Sequence, residues 1–60
     1  MKVDVKVNNK WYKVREIKKV GDIIVYEICK DNGDDKKSVP MSKKSTFQDM
    51  IRTYLKMIKN

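Results

Sequence analysis

The sequence contains no histidine and, in 60 residues, only one cysteine, one proline and two glycines. Because Cys29 is the single thiol, the chain has neither a cysteine–histidine set for zinc nor an internal disulfide. A nucleophile elbow, a P-loop and a pocket of paired carboxylates are also missing. These absences predict a protein that is not an enzyme and that uses no metal and no cofactor.

Long hydrophobic runs are absent too. No apolar stretch approaches the ~20 residues needed to cross a bilayer. The N-terminus alternates apolar and polar residues from the start, which is not the pattern of a signal peptide. We therefore expect a soluble, cytoplasmic protein that does not bind membranes.

Positive charge is what the chain has in excess, with 15 Lys or Arg against 8 Asp or Glu and a net charge of +7. The chain is long enough for one domain, residues 1–60, with a small core. A basic surface suits an acidic partner such as nucleic acid, although a diffuse coat of lysines can also serve solubility alone. Lysine supplies point charges for phosphate and little discrimination between bases.

Four segments have strand patterns, at about residues 2–7, 10–17, 23–30 and 36–41. In the second segment the alternation places Tyr12 and Val14 inside and residues 11, 13 and 15 outside. Ile17 falls out of phase, which predicts a bulge near residues 15–16. Asn8-Asn9 predicts a tight hairpin, residues 20–22 and 31–34 predict turns, and Pro40 predicts a strand end or a sheet edge.

The third segment is apolar on both of its faces. Ile24, Tyr26 and Ile28 are typical of core, and they leave an outward row of Ile23, Val25 and Cys29. A monomer rarely exposes such a row without a reason. The row fits a wedge surface, a homodimer seam, or a second small core formed if the sheet curls; we favour the wedge for Ile23 and the curl for Cys29.

One amphipathic helix is predicted at about residues 46–58. Ser45 is the expected N-cap, and Gln48 three residues later would complete a capping box. Apolar residues then recur at spacings of three and four and form one stripe that must pack on the sheet. The expected fold class is therefore α+β, an antiparallel sheet capped by a C-terminal α-helix.

The pattern resembles a known family over nearly the whole chain. It is similar to the seven-kilodalton chromatin proteins of thermoacidophilic archaea in the opening Lys2–Val7, in Ile17–Gly21, in the turn Asp31-Asn32-Gly33 and in the tail Val39–Leu55. The resemblance implies a small SH3-like or chromodomain-like β-barrel, in which a hairpin and a three-stranded antiparallel sheet are capped by the helix. It also implies a location in the cytoplasm, associated with the nucleoid.

The resemblance implies a function as well. Such a protein binds double-stranded DNA with little sequence specificity, laying its sheet face across the minor groove and wedging apolar side chains between base pairs. By position Val20 and Ile23 are the wedge, with Val25 beside them. Apart from the resemblance, an outward Trp11 either packs over an aliphatic neighbour or the helix end, or serves as a stacking or partner-contact residue. The expected DNA-binding residues are Trp11, Lys18, Lys19, Val20, Ile23, Val25, Lys36, Lys37 and Ser38.

Two alternatives stay open. The stretch Tyr12–Ile17 also resembles the Tyr-x-Val-x-x-Ile opening of chromodomains, although the chain has too few exposed aromatics for a methyl-lysine cage. The second alternative is a protein–protein interaction module of the same fold, for example a virus- or plasmid-encoded factor that binds a host complex. That module explains an outward Trp11 better, and it explains Glu27, which would repel phosphates. A homodimer is a further possibility.

Overall fold

The computed structural model describes residues 2–59. It contains four strands, β1 (Lys2–Val7), β2 (Lys10–Val20), β3 (Ile23–Lys30) and β4 (Lys37–Ser42), followed by one helix, α1 (Phe47–Ile58). The strands form a single antiparallel sheet in the order β1-β2-β3-β4. The sheet is open, with β1 and β4 at its edges, so Pro40 lies in an edge strand as predicted. The α+β class with a C-terminal helix is confirmed.

The second strand is longer than predicted because a bulge lies in its middle. Glu16 pairs with Tyr26 and Lys18 pairs with Val25, so Ile17 is the additional residue. The predicted bulge is therefore present one or two residues further along the chain. The strand does not end there but continues to Val20, because the additional residue restores the alternation of faces.

The two hairpin turns follow from residues that tolerate positive φ. Asn8 and Asn9 have φ of 52° and 64°, the pattern of a type I′ turn. Between β2 and β3, Gly21 has φ of 57° and Asp22 does not enter the positive region, which is the pattern of type II′. Both turns match the right-handed twist of their strands and so fix the register of the sheet.

The helix begins one residue later than predicted, and its cap is a different residue. Thr46, not Ser45, is the N-cap: its Oγ1 accepts from the Asp49 backbone N–H at 3.2 Å. Asp49, not Gln48, completes the capping box by accepting from the Thr46 backbone N–H at 3.4 Å. Ser45 is unavailable because its own N–H donates to the carbonyl of Ser42, in the turn that leaves β4.

The core lies between α1 and one face of the sheet. The helix packs against β4 and β1, the two edge strands, and so crosses the whole sheet. The buried residues of this core are Val5, Tyr12, Val14, Ile28, Val39, Met50, Ile51 and Tyr54. The shortest dimension of the molecule, 17 Å, corresponds to these two layers. Within residues 2–59 the opposite face of the sheet has no second layer.

Candidate binding surface on the open face of the sheet

The face of the sheet that points away from α1 is called the open face here. Its members alternate with the core residues along each strand, and directly paired residues share a face. The open face comprises Lys2, Asp4, Lys6, Trp11, Lys13, Arg15, Lys18, Val20, Ile23, Val25, Glu27, Cys29, Ser38, Pro40 and Ser42.

The end of the open face beside the β2–β3 turn is apolar. Val20 and Ile23 are direct cross-strand partners and are 57% and 45% exposed. Cβ atoms of such partners lie about 5 Å apart, so the two side chains form one raised apolar tip. Val25, half-buried, lies next to them between Lys18 and Pro40. The predicted wedge residues are thus neighbours at the end of the sheet beside the β2–β3 turn, where Ile23 also pairs with Ser42 of β4.

The other end of the open face is rich in cations. A small cavity of about 220 Å³ opens there between the strands and the turn before β4. Lys2, Lys13, Arg15 and Lys36 line this cavity, together with the carboxylates Glu27 and Asp31. The Nζ of Lys13 lies 3.6 Å from Asp4 and 4.0 Å from Asp31, so part of the charge is already balanced. Positive charge still exceeds negative charge around the cavity.

Cys29 lies at this cavity and is only 8% exposed although it belongs to the open face. Cys29 is buried, but it is not part of a second small core: it lies outside the core cluster, and since β1 and β4 do not pair, the sheet does not close over it. Its cross-strand partner is Lys13 and its neighbours around the cavity are polar, so long charged side chains cover the thiol.

Six of the predicted DNA-binding residues share the open face, namely Trp11, Lys18, Val20, Ile23, Val25 and Ser38, and Lys36 lines the cavity beside it. The structure does not bring Lys19 and Lys37 to this surface. They pair with Ile24 and Ile28 and therefore lie on the helix side. Sequence reasoning left out Lys2, Lys6, Lys13 and Arg15 as binding residues, although strand alternation already placed Lys13 and Arg15 outside.

The turn at residues 31–36 forms one wall of the cavity and is held by a hydrogen bond from the helix. The Tyr54 hydroxyl donates to the Asp35 carbonyl at 2.7 Å, and its ring meets Tyr12 edge to face with centroids 5.9 Å apart. Burial, followed by the nearby charge of Asp35, raises the pKa of Tyr54 to about 12. On the surface, the Lys30 ammonium lies 2.9 Å from Asp35, and this hydrogen bond raises the pKa of Lys30.

No group of three or more His, Cys, Asp or Glu side chains within residues 2–59 could hold a metal ion. No helix in that part of the chain is long and apolar enough to cross a membrane.

Comparisons of the chain with protein-family models, with curated proteins and with solved structures found no match. The chain's own residues therefore carry the functional argument. Those residues combine one open sheet face, an apolar tip at one end of it and a cluster of cations at the other.

Proposed function

We propose that the protein binds double-stranded DNA with little sequence specificity, through the open face of its sheet, and that it acts by binding without catalysis. The observation that carries the proposal is the apolar tip of Val20 and Ile23 on the same rigid face as Lys18, Arg15 and Lys2. Cations along such a face neutralise phosphates, and an exposed apolar pair suits an unstacked base step.

The wedge is the second part of the proposal. Val20 and Ile23 enter the minor groove and open one base step, at a cost of a few kcal/mol, and the duplex bends toward its major groove. The bend brings more phosphates within reach of the lysines, which offsets that cost.

The same proposal assigns the fold to the SH3-like or chromodomain-like barrels, a group that includes the archaeal seven-kilodalton chromatin proteins whose pattern the sequence resembles. The course of β2 supports this assignment. Residues 10–15 pair with β1 as a hairpin, and beyond the bulge the strand continues with β3, which pairs in turn with β4. A cytoplasmic, nucleoid-associated location follows if the protein coats DNA.

Fluorescence anisotropy with a labelled duplex at low salt tests the proposal through a matched pair of variants. Lys18 and Lys19 are adjacent and exposed, but they lie on opposite faces. We expect Lys18→Glu to weaken binding about tenfold or more, and Lys19→Glu to weaken it much less, although both change the net charge equally. Equal losses, or no duplex binding by the wild type, would refute the open face as the DNA-binding surface.

The bend is measured separately by energy transfer between dyes at the two ends of a short duplex. Ile23→Ala shortens the tip without changing any charge. We expect it to reduce the bend while most of the affinity remains, because the phosphate contacts persist. An unchanged bend angle would refute the wedge, but it would leave the proposal of non-specific DNA binding intact.

One residue favours a second candidate function, a protein–protein interaction module. Glu27 lies half-buried in the middle of the open face, where it faces Arg15 and would approach phosphates. A carboxylate there suits a protein partner with its own cations. A pull-down that retains one stoichiometric protein partner after nuclease treatment, together with absent duplex binding, would establish this alternative.

A further inference from the structure

A second and larger concavity lies away from the apolar tip, at the opposite end of the sheet. It is a cleft of about 770 Å³, bounded by the β1–β2 turn, the end of β3 and the last turn of α1. Its walls come from three separate parts of the chain. The cleft is therefore a product of the tertiary fold, and no local pattern in the sequence indicates it.

The walls of the cleft are aromatic and aliphatic. Trp11 and Tyr12 contribute from β2, and Leu55 and Ile58 contribute from α1. Tyr12 is buried, whereas Trp11 is 49% exposed, so the indole presents a large apolar surface to a ligand. The Nζ of Lys6 lies 5.9 Å from the Trp11 ring centroid, which places a cation at the border between the cleft and the open face.

The rim of the cleft is basic. Lys10, Lys30 and Lys59 line it from three different elements, while Asp31 is its one carboxylate. Asp31 already faces Lys13 at 4.0 Å, and Lys30 is held by Asp35 at 2.9 Å. Lys10 and Lys59 are exposed, and Lys59 is the C-cap residue of α1.

We propose that this cleft binds an unpaired nucleobase together with its phosphate. A base has apolar faces that stack on an aromatic ring, polar edges that suit the amide of Asn8, and a phosphate that suits Lys10 and Lys59. The aromatic surface and the basic rim thus match both halves of one ligand. The base comes from a free nucleotide or from single-stranded nucleic acid. The inference deepens the proposed function, and where the base comes from single-stranded nucleic acid it rests on the proposal that the protein binds nucleic acid.

Trp11 is the only tryptophan, so its fluorescence reports on the cleft. The probes are adenosine monophosphate and an oligodeoxyadenosine of about eight nucleotides. We expect saturable quenching of Trp11 by at least one of them. Quenching by both probes identifies a nucleotide site open to free ligand, and quenching by the oligomer alone identifies single strands as the source.

Two lysines of the helix provide the matched control. Lys59 lines the cleft and Lys56 does not, and both are exposed. We expect Lys59→Glu to weaken the binding that quenches Trp11 about three- to tenfold, and Lys56→Glu to change it little. Folding of both variants is checked by their far-UV spectra, and Lys59→Gln gives a milder change should the first variant fail to fold.

Three results would overturn the inference. One is the absence of quenching by either probe, and another is quenching that Lys56→Glu and Lys59→Glu alter equally. The third is quenching by an acidic phenylalanine-containing peptide but not by the nucleotides, which would make the cleft a protein-docking site. Duplex binding that depends on Lys18 but not on Lys59 would persist in all three cases, so failure of the cleft and failure of the open face are distinguishable.

Discussion

At the scale of single residues, Glu27 opposes the proposed function most directly. Its carboxylate lies half-buried on the open face between Arg15 and Ser38. A negative charge among the contacts to phosphate lowers DNA affinity and also suppresses other anionic partners. Glu27 therefore distinguishes a surface built for phosphates from one built for a protein.

The variant Glu27→Gln measures that opposition. We expect duplex affinity to rise several-fold, because one charge that repels phosphates is lost. The free energy of unfolding should fall by less than about 1 kcal/mol, the range of an exposed cross-strand charge pair. Anisotropy titration and urea unfolding give the two values. A fall in duplex affinity would show that Glu27 contributes to binding and would contradict the proposed geometry.

Tyr54 makes a second prediction at this scale, and this one concerns pH. Its side chain is fully buried and its hydroxyl donates to the Asp35 carbonyl. We expect Tyr54→Phe to lower the free energy of unfolding by about 1 kcal/mol at neutral pH, since the part-buried hydrogen bond to the Asp35 carbonyl is lost. Tyr12→Phe, also buried but with no hydroxyl hydrogen bond described, is the control.

The sign of the pH dependence follows from the raised pKa of Tyr54. An unfolded tyrosine ionises near pH 10, whereas in the folded protein the pKa is about 12. The stabilisation is therefore complete below pH 10 and is lost as pH rises from about 10 to about 12. In urea unfolding, the difference between wild type and Tyr54→Phe should shrink across that interval. A constant difference would mean that Tyr54 ionises equally in both states.

At the scale of elements, the helix cap is the sharpest test, because two adjacent hydroxyl residues compete for it. Thr46 holds the capping box with Asp49, and the Ser45 backbone belongs to the preceding turn. Thr46→Ala should cost about 1 kcal/mol of unfolding free energy, and Ser45→Ala only a few tenths. Thermal or urea unfolding of the two variants decides the matter. A larger loss of unfolding free energy for Ser45→Ala than for Thr46→Ala would show that Ser45 is the cap.

The same pair of residues shows where sequence patterns reach their limit. The run of Ser45, Thr46 and Phe47 indicates that a helix starts there. Which of Ser45 and Thr46 becomes the N-cap depends on the path of the chain as it leaves β4. That path is set by the hydrogen bond from Ser45 to Ser42, which no periodicity encodes. The existence of the helix and its apolar stripe needed only the spacing of residues 47–58.

The strands were predictable for a similar reason and to a similar extent. Strict alternation and the asparagine turn identified β1, the first half of β2 and their hairpin. Alternation also predicted the bulge, because Ile17 breaks the phase. The continuation of β2 to Val20 could not be predicted from the sequence. Charged residues predominate there, a composition typical of a loop, and only pairing with β3 makes this segment a strand.

In the candidate site, too, some residues could be predicted from local alternation and others only from the fold. Local alternation placed Trp11, Ile23 and Val25 on one face, and the structure keeps them together. Lys19 and Lys37 were included because they are adjacent in sequence to residues on that face, and adjacency in a strand means the opposite side. The cationic cavity and the cleft combine residues distant in the chain, so their composition follows from the fold alone.

At the scale of the whole molecule, the small size of the core and the high net charge both lower the stability of the fold. A 60-residue chain buries only about 60% of the surface that its unfolded form exposes, so the margin of stability is thin. A net charge of +7 reduces that margin further through self-repulsion. A polyanion that binds the folded form relieves the repulsion, and we expect duplex DNA to raise the melting temperature at low salt.

The salt dependence of duplex binding tests the molecule-wide argument quantitatively. Five cationic side chains lie on the open face, and Lys13 among them is already paired with carboxylates. With about three to five phosphates neutralised, the logarithm of the association constant should fall against the logarithm of the salt concentration with a slope of about −2.7 to −4.5.

The control for that slope is again the pair of adjacent lysines. Lys18→Gln should make the slope shallower by about 1, whereas Lys19→Gln should leave it nearly unchanged. The slope counts displaced counterions and is insensitive to small losses of stability, so it separates contact from folding. A shallow wild-type slope that neither variant alters would mean that phosphates are not the ligand. The same basic face would then have to be explained by a protein partner that meets Glu27 as well as the lysines.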